Sequence, residues 1–186
     1  MRIKLLIILT SSALASTTTA HAQDAGYGVN AGDTLAVFVW NEESLARELL
    51  VGPDGTISFP MVGTLSVRGL STAQIAEKVS EGLGKYLRDK PLVTVSLLGV
   101  QGNMIYVLGA VNQPGAYVAT RQLDVAQALS LAGGLGVFAK EAQITVVRRK
   151  ADGTLQKFPF NFTRFKSGDD LESNVLLQAG DLVVVP

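Results

Sequence analysis

Four aspartates that each lie beside a glycine are the first candidates for acid–base chemistry in this chain of 186 residues: Asp33, Asp54, Asp152 and Asp181. The chain has no cysteine, and its one histidine is His21. An enzyme would therefore need a carboxylate pair of the kind that glycoside hydrolases use. All four aspartates stand in turn sequences, however, where aspartate is favoured because it bonds to nearby backbone. We predict structural turns, no catalytic residue and no cofactor.

Two other segments bear on metal or phosphate binding. The cluster Asp169, Asp170 and Glu172 lacks the alternating ligand spacing of an EF-hand loop, so we expect a solvated loop. The pair Gly133-Gly134 follows a predicted helix instead of opening one, so the helix dipole has the wrong sign for an anion. We interpret this pair as the end of the helix, and we expect no metal site.

Two features could contact a ligand or a partner. The basic cluster Arg148-Arg149-Lys150 stands at a predicted hairpin tip, where it could meet an acidic polysaccharide or an acidic protein surface, or only water. Trp40, at the end of a predicted strand, could stack on a sugar ring or be buried in the core or in a subunit interface. The residues alone leave these alternatives open.

The first 22 residues predict a signal peptide. Arg2 and Lys4 precede an apolar run, and Ala20-His21-Ala22 is the small-x-small pattern that signal peptidase requires. The apolar run is shorter than the roughly 20 residues that span a bilayer. We therefore expect a mature protein that begins at Gln23 and resides in the periplasm. Without cysteine, lipidation at a processed N-terminal cysteine is not expected.

Charge gives no reason to expect a nucleic-acid partner. The whole chain has 16 basic and 16 acidic side chains, and losing Arg2 and Lys4 leaves a slight acidic excess. A protein that binds a phosphate backbone instead shows a basic patch or a basic balance.

The first half of the mature chain predicts an α+β unit. A β-branched and aromatic strand spans 34–40, and the turn sequence at 51–55 predicts a hairpin between its flanking apolar pairs. A capping box at 71–74 opens a helix with an apolar stripe that ends near Gly84. Strict alternation at 93–97 predicts a half-buried strand.

The second half follows a similar order. Pro114-Gly115 suits the central places of a type II turn after a strand at 105–111. Asp124 and Gln127 form a capping box for a helix over 125–132. Extended runs at 144–149 and 155–160 predict a hairpin, and another run ends the chain at 181–186.

The sequence thus predicts an α+β fold with two small domains after a signal peptide at 1–22. The expected boundaries are 23–102 and 103–186. Both domains contain Ala-Gly-Asp at the entrance to a strand, which we interpret as a repeated turn device. The residues expected to fix turns and helix ends are Gly32, Asp33, Pro53, Asp54, Gly55, Pro60, Pro114, Gly115, Gly133, Gly134, Gly180 and Asp181.

Several segments together resemble a known family. Residues 27–35 and 51–63, followed by 70–76 and 91–95, resemble the opening domain of bacterial outer-membrane polysaccharide export proteins. The second half is similar to the ligand-binding β-grasp module, SLBB, of the same proteins, at 107–117, 128–134 and 178–186. The resemblance covers nearly all of the mature chain.

This resemblance implies a ring-shaped homo-oligomer through which a capsular or exopolysaccharide leaves the cell. It also implies an inner-membrane co-polymerase as partner. With no cysteine and one β-grasp module, the chain is expected to be a short member at the inner face of the outer membrane. It would hand polymer to a separate β-barrel channel. The alternatives are a stand-alone periplasmic glycan-binding module and a polysaccharide-modifying enzyme.

Overall fold

The computed structural model describes residues 27–150 and 152–186. The predicted signal peptide lies outside the described residues. The described chain forms two units, each with its own sheet, helix and buried core, so the predicted two-domain α+β fold is confirmed. No helix in the described part of the chain is both long enough and apolar enough to span a membrane.

The first domain contains a three-stranded antiparallel sheet and a separate hairpin. Its elements are β1 (Thr34–Val39), β2 (Arg47–Leu50), β3 (Thr56–Phe59), β4 (Gly63–Ser66), α1 (Thr72–Leu83) and β5 (Val93–Gly99). Strand β1 lies between β2 and β5, whereas β3 pairs only with β4. The bulk of the core lies between α1 and the inner face of β1 and β5.

Helix α1 begins with the predicted capping box. The Ser71 side chain accepts a hydrogen bond from the Gln74 backbone N–H, and the Gln74 side chain accepts one from the Ser71 N–H. The stripe Ile75, Val79 and Leu83 is fully buried. Spacing of four residues puts these side chains on one face of the helix, which packs on the sheet, so this prediction is confirmed.

The predicted hairpin across 51–55 is wrong. Strand β2 pairs with β1, and β3 pairs with β4, so the turn carries the chain from one sheet to the other. The cause lies beyond the turn: the Val51 N–H donates to the Asp33 carbonyl, and the Gly55 carbonyl accepts from Val67. The segments before and after the turn are therefore each bonded to a distant part of the chain. The residues of the turn itself do not reveal these long-range partners.

The second domain contains a five-stranded mixed sheet. Its elements are β6 (Met104–Gly109), β7 (Gly115–Val118), α2 (Val125–Leu131), β8 (Ile144–Arg149), β9 (Leu155–Phe160), α3 (Phe162–Ser167) and β10 (Leu182–Val185). The strand order is β7-β6-β10-β8-β9, with β10 parallel to β6 and antiparallel to β8. Helix α2 begins with the predicted Asp124–Gln127 capping box.

The type II turn predicted at Pro114-Gly115 is wrong. Such a turn needs positive φ at its third residue, but Gly115 has none and is the first residue of β7. The chain instead leaves β6 at Gly109, where φ is 98°. A Cβ at Gly109 would lie 1.9 Å from the Val185 carbonyl oxygen, so only glycine fits there.

The sequence pattern does not predict helix α3. Asn161 is its N-cap, and the Asn161 Oδ1 accepts from the Arg164 backbone N–H at 3.1 Å. The helix has six residues, which is too short for an apolar period to be recognised. Its Phe162 and Phe165 pack beside Phe160 at one end of the domain core.

Candidate functional site

The first glycine–aspartate turn places a buried carboxylate beside the junction of the two domains. Gly32 has φ of 92°, and Asp33 is fully buried. Its Oδ2 accepts from the Tyr27 hydroxyl at 2.6 Å and from the Asn30 backbone N–H at 2.8 Å. Its Oδ1 accepts from the Gly102 backbone N–H at 2.9 Å. Burial of Tyr27, and then its bond to this carboxylate, raise the pKa of the phenol well above its usual range.

The second glycine–aspartate turn repeats this backbone geometry. Gly180 has φ of 87°, and Asp181 is also fully buried. The Asp181 Oδ2 accepts from the backbone N–H three residues earlier, at Gln178, over 2.8 Å. Here the remaining partner is a cation: Arg148 donates from Nε to Oδ1 at 2.9 Å and from Nη2 to Oδ2 at 2.7 Å.

Each turn begins the central strand of its sheet. Before β1, the Gly32 N–H donates to the Val51 carbonyl, and the Asp33 carbonyl accepts from Val51. Before β10, the Gly180 N–H donates to Met104, and the Asp181 carbonyl accepts from Tyr106. The repeated Gly-Asp sequence therefore marks the same structural device in both domains.

The first turn also holds the linker between the domains. The Asp33–Gly102 bond joins residues 69 positions apart. A Cβ at Gly102 would lie 2.2 Å from the Ala31 carbonyl oxygen, so the linker backbone packs directly on the turn. Because residues 100–103 connect β5 to β6, this contact restrains the linker between the two domains.

The basic cluster of the β8–β9 hairpin is divided in the structure. Arg148 forms the ion pair with Asp181, donates to the Leu176 carbonyl and lies over the Phe158 ring. It therefore lies partly buried within the β8–β9 strand pair and not at the hairpin tip, which the sequence does not reveal. Arg149 and Lys150 are exposed beside the turn, and their contact with polymer or partner stays a prediction.

Trp40 follows β1 and is 60% exposed, which excludes burial in the core of its own domain. Its backbone N–H donates to the Leu92 carbonyl. Strand alternation places Trp40 with Phe38 on the face of the sheet opposite the core, since Val37 and Val39 point inward. A sugar contact and a subunit interface both remain predictions for this side chain.

The aspartate side chains of the two exposed Asp-Gly turns form hydrogen bonds only with local partners. Thr56 donates from its hydroxyl and its backbone N–H to Asp54, and these bonds hold the pKa of that carboxyl below its usual range. Thr154 does the same for Asp152. Both carboxylates thus bond within their own turns.

The remaining structural positions fall at element boundaries. Gly133 and Gly134 have positive φ and follow α2. Gly55 has φ of 79°. The Arg68 side chain packs against Gly55 and donates a hydrogen bond to the Pro53 carbonyl. Among the described residues, no group of three or more potential ligands is placed to hold a metal ion.

Two family matches divide the chain at the same point as the two sheets. Residues 21–98 match a family described as polysaccharide biosynthesis/export protein, and residues 104–159 match the SLBB domain. The first match ends within β5, and the second begins with β6. The chain belongs to the bacterial polysaccharide export family. The resemblance noted in the sequence is therefore confirmed.

Named relatives of this export family protein come from several bacteria. The exopolysaccharide production protein ExoF of Rhizobium meliloti is 36% identical over 54% of this chain and 23% of its own length. The EPS I polysaccharide export outer membrane protein EpsA of Ralstonia nicotianae is 26% identical over 86% of this chain and 47% of its own. The polysialic acid transport protein KpsD of Escherichia coli is 32% identical over 59% of this chain and 20% of its own length. The chain spans less than half the length of these relatives.

Proposed function

We propose that this export family protein is a periplasmic subunit of a capsule or exopolysaccharide translocon. It forms a ring-like conduit or adaptor between an inner-membrane co-polymerase and a separate outer-membrane channel. The observation that carries this proposal is the tandem order of an export domain and an SLBB domain, matched at 21–98 and 104–159. Relatives named for export at the outer membrane match 84–86% of the chain.

Exposed apolar side chains support an assembly of several copies. Val137 and Phe138, adjacent in the loop after α2, are 94% and 90% exposed. Phe38 and Trp40 are exposed on the open face of the first sheet. Burial of such apolar side chains is favourable by about 25 cal/mol per Å² of surface removed from water. A ring of identical chains buries such groups in head-to-tail contacts that close by rotation.

The direct test measures the amount of polysaccharide outside the cell in a strain in which the gene is deleted in-frame and then restored. We expect external polymer to be lost and then recovered. Unchanged polymer in a strain without a second copy of the gene would contradict the proposal.

Assembly has its own test. Native mass spectrometry of the purified protein should detect a closed oligomer, and the double variant Val137→Ser/Phe138→Ser should shift it toward monomer. Leu171→Ser, which changes a single exposed leucine, is the matched control. A monomer at all concentrations would favour the second candidate function, a stand-alone glycan-binding module. That candidate is supported by a cleft between the two domains.

A further inference from the structure

The cleft between the two domains has a volume of about 640 Å³. The first domain and the linker line one side, and the loops before α2 and before β10 line the other. This volume falls within the roughly 300–1,000 Å³ of small-molecule sites, which occur preferentially at domain interfaces. Both glycine–aspartate turns contribute to it, through Asn30 of the first and Gln178 of the second.

The polar groups of the cleft fit a saccharide. Amide side chains come from both walls, at Asn30, Asn103, Gln122 and Gln178. Amides donate and accept at once, as sugar hydroxyls do. Tyr27 adds an aromatic ring whose apolar face suits the C–H face of a pyranose.

The charge of the cleft favours an acidic ligand. Among the described residues that line the cleft, Arg121 is the one charged side chain, and it is exposed in the loop between β7 and α2. The two nearby aspartates, Asp33 and Asp181, are buried, and their carboxylates accept hydrogen bonds from donors inside the protein. A guanidinium pairs with a carboxylate through two parallel hydrogen bonds, which adds both energy and orientation.

Part of the lining is held in place before any ligand binds. The Asp33 carboxylate and the Asn30 Nδ2 both bond to the Tyr27 hydroxyl, at 2.6 and 3.0 Å. Asn103 Nδ2 donates to the Ala119 carbonyl, joining the linker to the opposite wall at 2.5 Å. The Leu177 N–H donates to the Leu123 carbonyl, which ties the two loops of the second domain together. Such preorganisation lowers the entropy that binding costs.

We propose that this interdomain cleft binds a short stretch of acidic saccharide, with Arg121 paired to a sugar carboxylate and the amides of both domains bonded to hydroxyls. The inference rests on the proposed function for the origin of the saccharide, which is the exported polymer. It assigns the polymer an acidic class and assigns the contact to the junction of the two domains.

The test uses trigalacturonate as the probe and the purified protein. Titration followed by ¹H–¹⁵N NMR should shift the backbone signals of cleft residues, and maltotriose, a neutral trisaccharide, should bind more weakly. Arg121→Gln should weaken trigalacturonate binding by about tenfold, since it removes the guanidinium that pairs with a sugar carboxylate. Arg88→Gln, at an exposed arginine outside the cleft, should bind like the native protein.

Two outcomes would overturn the inference: no shifts at the cleft on titration with trigalacturonate, or an Arg121→Gln variant that binds as tightly as the native protein. The deletion strain separates this failure from failure of the proposed function. If deletion abolishes external polymer but trigalacturonate does not bind, only the cleft assignment fails. If trigalacturonate binds the cleft but deletion leaves the polymer unchanged, the export role fails and the saccharide site stands.

Discussion

The two glycine–aspartate turns share one backbone geometry and differ in how they stabilise a buried charge. In both, the aspartate accepts from the N–H three residues earlier at 2.8 Å, and both carboxylates are fully buried. Asp181 is neutralised by Arg148 within its own domain. Asp33 instead receives hydrogen bonds from Tyr27, Asn30 and Gly102, none of which carries a positive charge.

The same local turn therefore serves a different purpose in each domain. The Asp181 ion pair joins two strands of the second domain, because Arg148 lies on β8 and Asp181 directly precedes the neighbouring strand β10. Asp33 joins the first domain to the linker, because its third partner is the Gly102 backbone. A charge with only neutral donors depends on every one of them, so the Asp33 site is sensitive to small movements of the linker.

The largest expected effect belongs to the second turn. Asp181→Ala leaves the mostly buried Arg148 without its carboxylate, and breaking a buried ion pair costs about 3–5 kcal/mol. Urea unfolding followed by circular dichroism measures the loss, and peptide-resolved hydrogen exchange should place it in the second domain. Asp152→Ala, in an exposed turn, should change stability far less. Equal losses in the two variants would contradict a structural role for the ion pair.

The first turn should show a smaller loss of stability. Asp33→Asn keeps the shape but puts an amide NH₂ among donors, which leaves at least one buried group unsatisfied at a cost of about 1–3 kcal/mol. Urea unfolding again measures this cost. If Asp33→Asn cost more than Asp181→Ala, the neutral donors would matter more than the cation, contrary to the comparison.

The linker contact can be broken without touching the aspartate. Gly102→Ala places a methyl group 2.2 Å from the Ala31 carbonyl oxygen, so the linker must move and the bond to Asp33 must break. We expect faster proteolysis within 99–103 and a broader interdomain distance distribution by electron spin resonance. Gly99→Ala is the matched control, since its nearest contact is 3.8 Å from Thr34. Equal protection of both variants would show that the linker is held elsewhere.

Local features of these turns could be predicted from the sequence, and their partners could not. The capping boxes at Ser71 and Asp124 were predictable because donor and acceptor lie three residues apart. The bond between Asp33 and Gly102 spans 69 residues, and the one between Arg148 and Asp181 spans 33. No local pattern encodes such separations, so the sequence alone puts Arg148 at a hairpin tip and predicts a hairpin at 51–55 that the structure does not contain.

Alkaline pH should distinguish the two turns. The pKa of Tyr27 is raised in the folded protein, so the stability from its hydrogen bond is complete below the unfolded pKa of about 10 and is lost as pH rises above it. The partners of Asp181 in the second turn are Arg148 and the Gln178 N–H, and neither is a tyrosine. The native protein should therefore lose stability more steeply than Tyr27→Phe between about pH 9 and pH 11. If urea unfolding showed the same loss of stability with pH in the native protein and in Tyr27→Phe, it would contradict the proposed titration of Tyr27.

The smallest expected effects are those of the two helix caps, which give the comparison its baseline. Ser71→Ala and Asp124→Ala each remove a side-chain acceptor from a capping box, at a cost of about 1 kcal/mol. Ser58→Ala, on the exposed face of β3, is the control without a cap. Because each cap bonds only within its own first turn, the two losses should be similar. A much larger loss for Asp124→Ala would mean that any substitution destabilises the second domain more than the first. The greater cost expected for Asp181→Ala would then no longer be evidence for its ion pair.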